Sequence, residues 1–255
     1  MTSADPTATK TVNGVRLLIA KDYDAMSRVA AAHILQRVVA NPRLAMLVPT
    51  GTTPEGVYRL LTEEPADVFA SARFYNMDEY CEKLEDGSYA LLPASDERSY
   101  HYYMHEHVLH HFSQAKSFFP GLENIERPGS YDELIAANGG LDLCLNAVGE
   151  DGHTFGFNIP GSSFESKTRL MALNEDTKQV NKKLTGLETP QYAVTVGLST
   201  GMRAKEVLLL VSGKRKAEIL KRIIYGDISE DVPASILRRH KNCVWIVDED
   251  AASGL

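Results

Sequence analysis

Short, uniformly apolar segments alternate with longer amphipathic segments along most of this 255-residue sequence. Continuous apolar runs that end at turn residues are typical of strands buried on both faces, and apolar residues at helical spacing indicate helices packed on one side. Such alternation predicts a parallel sheet covered by helices. The predicted strands are residues 16–20, 44–50, 72–78, 141–149, 192–199, 206–213 and 242–249, and the predicted helices are residues 25–40, 54–64, 99–112, 214–226 and 233–240.

This pattern predicts an α/β fold with a single doubly wound, mostly parallel, Rossmann-like sheet and helices on both faces. We expect one domain, residues 13–255, after a flexible N-terminal tail, residues 1–12. A chain of this length buries enough apolar surface to fold without disulfides or metals. No run of 18 apolar residues is present, so no membrane span is expected.

Composition limits the partners and the compartment. The net charge of −7 argues against a nucleic acid as the main partner, because phosphate backbones favour basic surfaces. The three cysteines are far apart and form no CxxC motif, which indicates a reducing compartment and no metal cluster. The first residues have no apolar segment typical of a signal peptide, so we expect a cytoplasmic protein.

Polar residues of unusual type follow four of the predicted strands, after residues 48, 75, 148 and 211. In sheets of this type, ligands bind beyond the carboxyl ends of the strands. Because these ends meet at one edge, the sequence predicts a single site there.

Two of these strand ends carry features of an anion site. The sequence TGTTP, residues 50–54, combines small residues, hydroxyls and a helix start, which suit a phosphate cradle. An ordinary helix start with a threonine cap is the alternative. The sequence GKRK, residues 213–216, places a lysine where it could reach the same phosphate, although it also fits a solvated helix start. Neither GxGxxG nor GK[ST] is present, so a nucleotide is not indicated.

The other two strand ends carry candidate proton-transfer groups. Asp78 and Glu79 are adjacent, so at most one of them is expected to face the site. Asp151 and His153 lie two residues apart on a glycine turn, where one group can remove a proton and the other return it. A helix cap or ion pair for Asp78 and a backbone-bonded turn histidine for His153 are the alternatives.

The histidine-rich stretch HEHVLHH, residues 105–111, lacks the HExxH arrangement of a zinc site. We therefore predict a cluster on a helix face and no metal site.

The motifs TGTTP, NMDEY, SYHYYM, GEDGHTFGFN, PGSS and SGKRKA occur in the order found in glucosamine-6-phosphate deaminases and their galactosamine-6-phosphate relatives. The chain resembles this family from about residue 15 to about residue 250. The resemblance implies a Rossmann-like fold and conversion of a hexosamine 6-phosphate to a ketohexose 6-phosphate and ammonia. It implies a small sugar phosphate as the partner and no metal or organic cofactor, and it is compatible with a homo-oligomer.

The resemblance also implies a role for each matching residue. Asp78 matches the base that moves a proton between C1 and C2 of the open sugar, and His153, beside Asp151, matches the group that opens the ring. The residues that match the phosphate site are Gly51, Thr52, Thr53, Lys183 and Lys216.

Two positions depart from the family pattern. Ile159 stands where the family has a glutamate that orients the histidine, and the segment from Asp151 to Pro160 is one residue longer than usual. An isoleucine cannot orient a histidine as a carboxylate does, so ring opening is slow, depends on Asp151, or serves another substrate. Lys183 stands where the family has an arginine, and it supplies a point charge in place of a planar guanidinium that can bind a phosphate through two hydrogen bonds.

Two other functions remain open at this point. The TGTTP motif is shared with 6-phosphogluconolactonases, which hydrolyse a lactone with a histidine base and need no enediol chemistry. The lost glutamate also fits a sugar-phosphate sensor that binds its ligand without turnover.

Overall fold

The computed structural model describes residues 6–173, 175, 178–179, 182 and 186–255. The strands are β1 (Ala8–Val12), β2 (Val15–Ala20), β3 (Ala45–Val48), β4 (Arg73–Asn76), β5 (Asp78–Lys83), β6 (Tyr89–Leu91), β7 (Lys116–Phe118), β8 (Leu143–Ala147), β9 (Arg169–Ala172), β10 (Tyr192–Thr195), β11 (Glu206–Val211) and β12 (Cys243–Asp248).

The α-helices of the described residues are α1 (Tyr23–Ala40), α2 (Thr52–Leu61), α3 (Tyr100–Met104), α4 (Glu123–Glu126), α5 (Ser130–Ala137), α6 (Leu198–Gly201) and α7 (Ala217–Tyr225). A π-helical turn at His105–Leu109 extends α3, and 3₁₀ turns form at Lys214–Lys216, Pro233–Arg239 and Ala251–Gly254. None of the described helices is long and apolar enough to cross a membrane.

The main sheet has eight strands in the order β1-β2-β12-β11-β8-β3-β4-β7. From β2 to β7 every neighbouring pair is parallel, and only the edge strand β1 is antiparallel to its neighbour. The predicted fold class, a mostly parallel sheet with helices, is therefore confirmed. The strand order also brings the ends of β3, β8 and β11 next to one another, which positions the site.

Helices and turns cover both faces of this sheet. Alternate residues of the central strand β11 belong to different hydrophobic clusters, with Leu209 in one and Leu208 and Leu210 in the other. The first cluster includes residues of α5, α7 and the C-terminal turns, and the second includes α1, α2 and the π-helical turn. Burial on both faces explains why the strands of the main sheet are apolar throughout.

A second, antiparallel sheet stands beside the main one, in the order β6-β5-β10-β9. The segment predicted as one strand over residues 72–78 is divided, because β4 belongs to the main sheet and β5 to the small sheet, with Met77 between them. The segment predicted over residues 192–199 forms β10 of the small sheet and then the short helix α6. The expectation of a single sheet was therefore incomplete.

The prediction of a flexible N-terminal tail over residues 1–12 is partly wrong. Residues 8–12 form β1, which pairs with β2 from Ala8 opposite Ile19 to Val12 opposite Val15. The turn between the two strands places Asn13 and Gly14 at positive φ, as two-residue hairpin loops require. The four residues before Val12 in β1 are exposed, so the strand lacks the apolar pattern from which buried strands were predicted.

Candidate active site

The loop between β3 and α2 has the geometry expected of an anion cradle. β3 is fully buried and ends at Val48, and α2 begins at Thr52. Gly51 between them has φ of 103°, a left-handed conformation that only glycine adopts readily. A Cβ atom at this position would meet no atom within 4 Å, so the backbone conformation is what requires glycine here. The first turn of α2 leaves backbone N–H groups without intrahelical acceptors.

The structure brings Lys216 to this loop, 163 residues away in sequence. The Nζ atom of Lys216 donates a hydrogen bond of 2.9 Å to the Oγ1 atom of Thr53. The pKa of Lys216 is lowered to about 8, mainly by burial; the charge of Glu150 raises it, that of Arg215 lowers it and that of Asp248 raises it. A cation beside free amide groups is suited to a phosphate.

The turn that carries Lys216 is fixed by a buried carboxylate. Gly213 donates its backbone N–H to Asp248, and the hydroxyl of Ser212 donates to the same side chain. Arg215, next to Lys216, forms an ion pair of 3.3 Å with Glu150 of the loop after β8. The lysine turn and the loop after β8 therefore meet at the mouth of one site.

Asp78 is the first residue of β5 and is only 4% exposed. It pairs with Thr195 of β10, and its Oδ1 atom has no hydrogen-bond partner among the described residues. Burial, with the charge of Glu79 as a second cause, holds the pKa of Asp78 well above its usual value. A Cβ atom on Gly156 would lie 2.8 Å from Oδ2 of Asp78, so the glycine leaves room for the carboxylate.

Glu79 points away from Asp78 and serves the structure. Its carboxylate accepts hydrogen bonds from the hydroxyl of Ser99 and from the backbone N–H groups of Tyr100 and His101, at 2.7–2.9 Å. These groups belong to the start of α3, so Glu79 anchors that helix. The expectation that at most one of the two adjacent carboxylates faces the site is confirmed.

Asp151 and His153 form a hydrogen-bonded pair on the turn after β8. The Nδ1 atom of His153 lies 2.6 Å from Oδ1 of Asp151. Because an ionised carboxylate only accepts, Nδ1 donates, and Nε2 of the neutral ring is left to accept a proton. Burial alone would raise the pKa of Asp151, but the hydrogen bonds and charge of His153 outweigh it, so the pKa is lowered.

Gly149 is essential to this arrangement. A Cβ atom there would lie 2.1 Å from Cε1 of His153 and 2.8 Å from Oδ1 of Asp151. Even alanine would therefore displace the imidazole or the carboxylate.

One cavity of about 330 Å³ joins these groups. Asp78, Asp151 and His153 line it together with residues 49–53 and with Lys216. The structure therefore places the predicted residues of both kinds, the anion-binding and the proton-transferring ones, around the same space. Lys183 lies outside the described residues.

Sequence reasoning missed other residues of this site. Tyr100 and Asn146 also line the cavity. Asn146 donates to the hydroxyl of Thr154 at 2.7 Å and accepts from the N–H of Phe155, which fixes the loop that leads to His153. Asn146 is the one polar residue in the apolar run 143–148, and that was the signal that could have identified it.

Ile159 is half-buried and is not one of the described residues that line the cavity. Its N–H donates to the carbonyl of Phe157, and its carbonyl accepts from Ser162, so it lies in a tight turn. The orienting contact on His153 is made by Asp151 instead.

The histidine-rich stretch lies apart from this cavity. His111 is bonded to the carbonyl of Glu64, and the ring of His107 packs against Tyr103 at 4.2 Å. Within the part of the chain that the structure describes, no group of three or more His, Cys, Asp or Glu side chains is arranged to hold a metal ion.

Comparison with known proteins gives concordant matches. Residues 21–245 match the model of the family described as glucosamine-6-phosphate isomerases/6-phosphogluconolactonase. The glucosamine-6-phosphate deaminase of Shouchella clausii is 37% identical over 94% of this chain and 97% of its own length. The glucosamine-6-phosphate deaminase 1 of Bacillus subtilis is 34% identical over 94% of this chain and 99% of its own.

Solved structures agree with this. A monomeric glucosamine-6-phosphate deaminase superposes with a TM-score of 0.82 at 33% identity, covering 94% of this chain and 99% of its own. The 6-phosphogluconolactonase of Trypanosoma cruzi gives a TM-score of 0.71 at 20% identity, with 98% of each chain covered, and at that identity it shares the fold alone.

Proposed function

This chain belongs to the family of glucosamine-6-phosphate isomerases and 6-phosphogluconolactonases, and we propose that it is an enzyme that deaminates a hexosamine 6-phosphate. The substrate is glucosamine 6-phosphate, the compound named in relatives that are 34–37% identical over 94% of the chain. The products are a ketohexose 6-phosphate and ammonia. One observation carries the proposal: a phosphate-type cradle, a buried carboxylate and an acid–base pair line a single cavity.

The cradle holds the 6-phosphate. Gly51, Thr52 and Thr53 offer backbone N–H groups and hydroxyls, and Lys216 offers the cation beside them. Binding at this end fixes the position of the sugar carbons relative to the proton-transfer groups, which is how a bound substrate gains rate from proximity.

His153 opens the ring. Its Nε2 atom takes the proton of the O1 hydroxyl, the C1–O5 bond breaks, and O5 receives a proton in return. Asp151 holds the ring in one orientation at 2.6 Å and stabilises the imidazolium form between the two transfers.

Asp78 moves the proton that isomerises the open sugar. It removes the proton from C2 while O1 gains the proton that the substrate's ammonium group loses, which gives a neutral enolamine; it then returns the C2 proton to C1, which leaves a C2 iminium ion. Water adds to C2, and the C–N bond breaks to release ammonia. A carboxylate whose pKa is raised by burial is suited to hold the proton between the two steps.

The experiment is an assay of three reactions with purified protein. Ammonia release is measured from glucosamine 6-phosphate and from galactosamine 6-phosphate, and hydrolysis is measured with 6-phosphogluconolactone. The Asp78→Asn variant, purified in the same way, measures the background from host enzymes.

We expect ammonia and fructose 6-phosphate in equal amounts from glucosamine 6-phosphate, and at least about 10²-fold less ammonia from the variant. Lactone hydrolysis without ammonia release would replace the proposal by the lactonase function. Calorimetric binding of the sugar phosphates with no turnover would replace it by a sensor.

A further inference from the structure

Three tyrosine hydroxyls converge on the backbone of the loop before α2. Tyr58 donates to the carbonyl of Pro49 at 2.5 Å, Tyr103 donates to the carbonyl of Gly51 at 2.8 Å, and Tyr23 donates to the carbonyl of Thr52 at 2.8 Å. The donors come from α2, α3 and α1 respectively. We call Tyr23, Tyr58 and Tyr103 the tyrosine clamp.

The clamp fixes the direction of the amide groups as well as that of the carbonyls. A trans peptide unit is planar, and its C=O and N–H bonds point to opposite sides. When a hydroxyl holds the carbonyl of Gly51, the N–H of Thr52 points the other way. In the same way, the held carbonyl of Pro49 sets the direction of the N–H of Thr50, and the held carbonyl of Thr52 sets that of Thr53.

Tyr23 also bonds to the first turn of α2. The N–H of Gly56 and the carbonyl of Thr52 have the four-residue spacing of a helical hydrogen bond. The N–H of Gly56 donates to the hydroxyl of Tyr23 at 2.7 Å, and that hydroxyl donates to the carbonyl of Thr52. The hydroxyl thus stands between two groups of the helix start and sets the orientation of Thr52.

None of the three clamp residues is among the described residues that line the cavity. Tyr58 is 1% exposed, and Tyr23 faces a separate cleft beside the histidine-rich stretch. Their hydroxyls therefore act on the loop from behind, whereas residues 49–53 face the cavity.

We infer that the tyrosine clamp consists of positioning residues that aim the amides of Thr50, Thr52 and Thr53 at the substrate's phosphate. This inference rests on the proposed function only for the identity of the phosphate compound. A peptide unit released from its tyrosine can turn its carbonyl towards the cavity, and a carbonyl oxygen repels a phosphate dianion. The clamp therefore contributes to phosphate affinity without touching the ligand.

The test uses variants that remove one hydroxyl and little else, Tyr23→Phe and Tyr103→Phe. Tyr102→Phe is the matched control, because Tyr102 lies in the same helix as Tyr103 and its hydroxyl makes no hydrogen bond among the described residues. The probe is inorganic phosphate, measured by calorimetry and as a competitive inhibitor of ammonia release.

Each clamp variant is expected to bind phosphate about three- to tenfold more weakly, the effect of losing one hydrogen bond to the loop. KM for the sugar phosphate should rise by the same factor, while kcat changes by less than about twofold because the proton-transfer groups are untouched. Tyr102→Phe should match the wild type in all three quantities.

Calorimetry separates this inference from the proposed function. If no ammonia is released by any form, the phosphate affinities of the variants still report on the clamp. Unchanged phosphate affinity in both clamp variants would overturn the inference. A loss of thermal stability alone, with phosphate affinity retained, would reduce the three tyrosines to structural residues and overturn it equally. For a variant that unfolds during calorimetry, the phosphate-induced rise in melting temperature gives the same comparison.

Discussion

If Lys216 binds the phosphate as proposed, its lowered pKa predicts that phosphate affinity depends on pH. Burial brings the pKa of this lysine to about 8, more than two units below that of an exposed lysine. A bound phosphate dianion stabilises the ammonium form, so the complex takes up a proton above pH 8 and affinity falls as the pH rises.

The size of the effect follows from the charged fraction. With a pKa of about 8, roughly nine tenths of the Lys216 side chains are charged at pH 7 and roughly one tenth at pH 9. Affinity for a phosphate monoester should therefore fall about tenfold between these values. A lysine with an ordinary pKa of about 10.4 would lose almost nothing over the same range.

The assay is calorimetry with glucose 6-phosphate, which has no amine and whose phosphate, with a second pKa of about 6, is mostly a dianion throughout this range. Lys216→Arg keeps the charge to high pH, so its affinity is expected to stay constant between pH 7 and pH 9. Lys214→Met, in the same turn but exposed, should retain the tenfold dependence of the wild type.

A wild-type affinity that is constant from pH 7 to pH 9 would refute the assignment of Lys216 as a buried phosphate ligand. A tenfold fall in Lys216→Arg as well would show that another group titrates.

Four further predictions concern the proton-transfer groups and Ile159. Asp78→Asn should reduce ammonia release about 10²- to 10⁴-fold, the usual contribution of a general base, while affinity for glucose 6-phosphate stays within about twofold; a parallel loss of affinity would contradict separate binding and proton-transfer roles. Because burial raises the pKa of Asp78, the folded protein holds that proton more tightly than the unfolded chain, so the wild type loses stability as pH rises above about 4 and the Asn variant does not. Urea denaturation of both proteins at pH 4.5 and 7.5 measures the difference between their free energies of unfolding. If that difference is the same at the two pH values, the predicted pH dependence is wrong. Asp151→Asn should lower kcat by at least about 10²-fold, since an amide no longer fixes the tautomer of His153 or stabilises its charge. Ile159→Glu should leave kcat within about twofold, because Asp151 already makes the orienting contact with His153. A large increase in kcat for Ile159→Glu would instead restore that position as the site of a missing orienting group.

The strand ends were the most informative part of the sequence. Turn glycines and polar residues after the apolar runs led to Thr53, Asp78, His153 and Lys216, and the structure gathers all four around one cavity. This succeeded because parallel strands have their carboxyl ends at one edge of the sheet, whatever their order.

The second sheet could not be predicted by the same reasoning. β10 is as apolar as β8 or β11, and an apolar run does not reveal which strand it pairs with. The separation of β4 from β5 depends on Met77 alone, which stands between Asn76 and Asp78 without a glycine or proline to mark a break. β1 escaped prediction for the opposite reason, because an exposed edge strand needs no apolar pattern.

The anchoring of α3 by Glu79 gives the site a fixed length. One strand, β5, carries Asp78 into the cavity and, through the next residue, holds the start of α3. The same helix carries Tyr103, which holds Gly51 of the phosphate loop. The carboxylate and the phosphate loop are thus mounted on a common frame, and the frame sets the span between the phosphate and the carbon that loses its proton. If the site acts as proposed, we expect this fixed span to select the length of the carbon chain, so that a hexosamine 6-phosphate is turned over and a pentose 5-phosphate, one carbon shorter, is not.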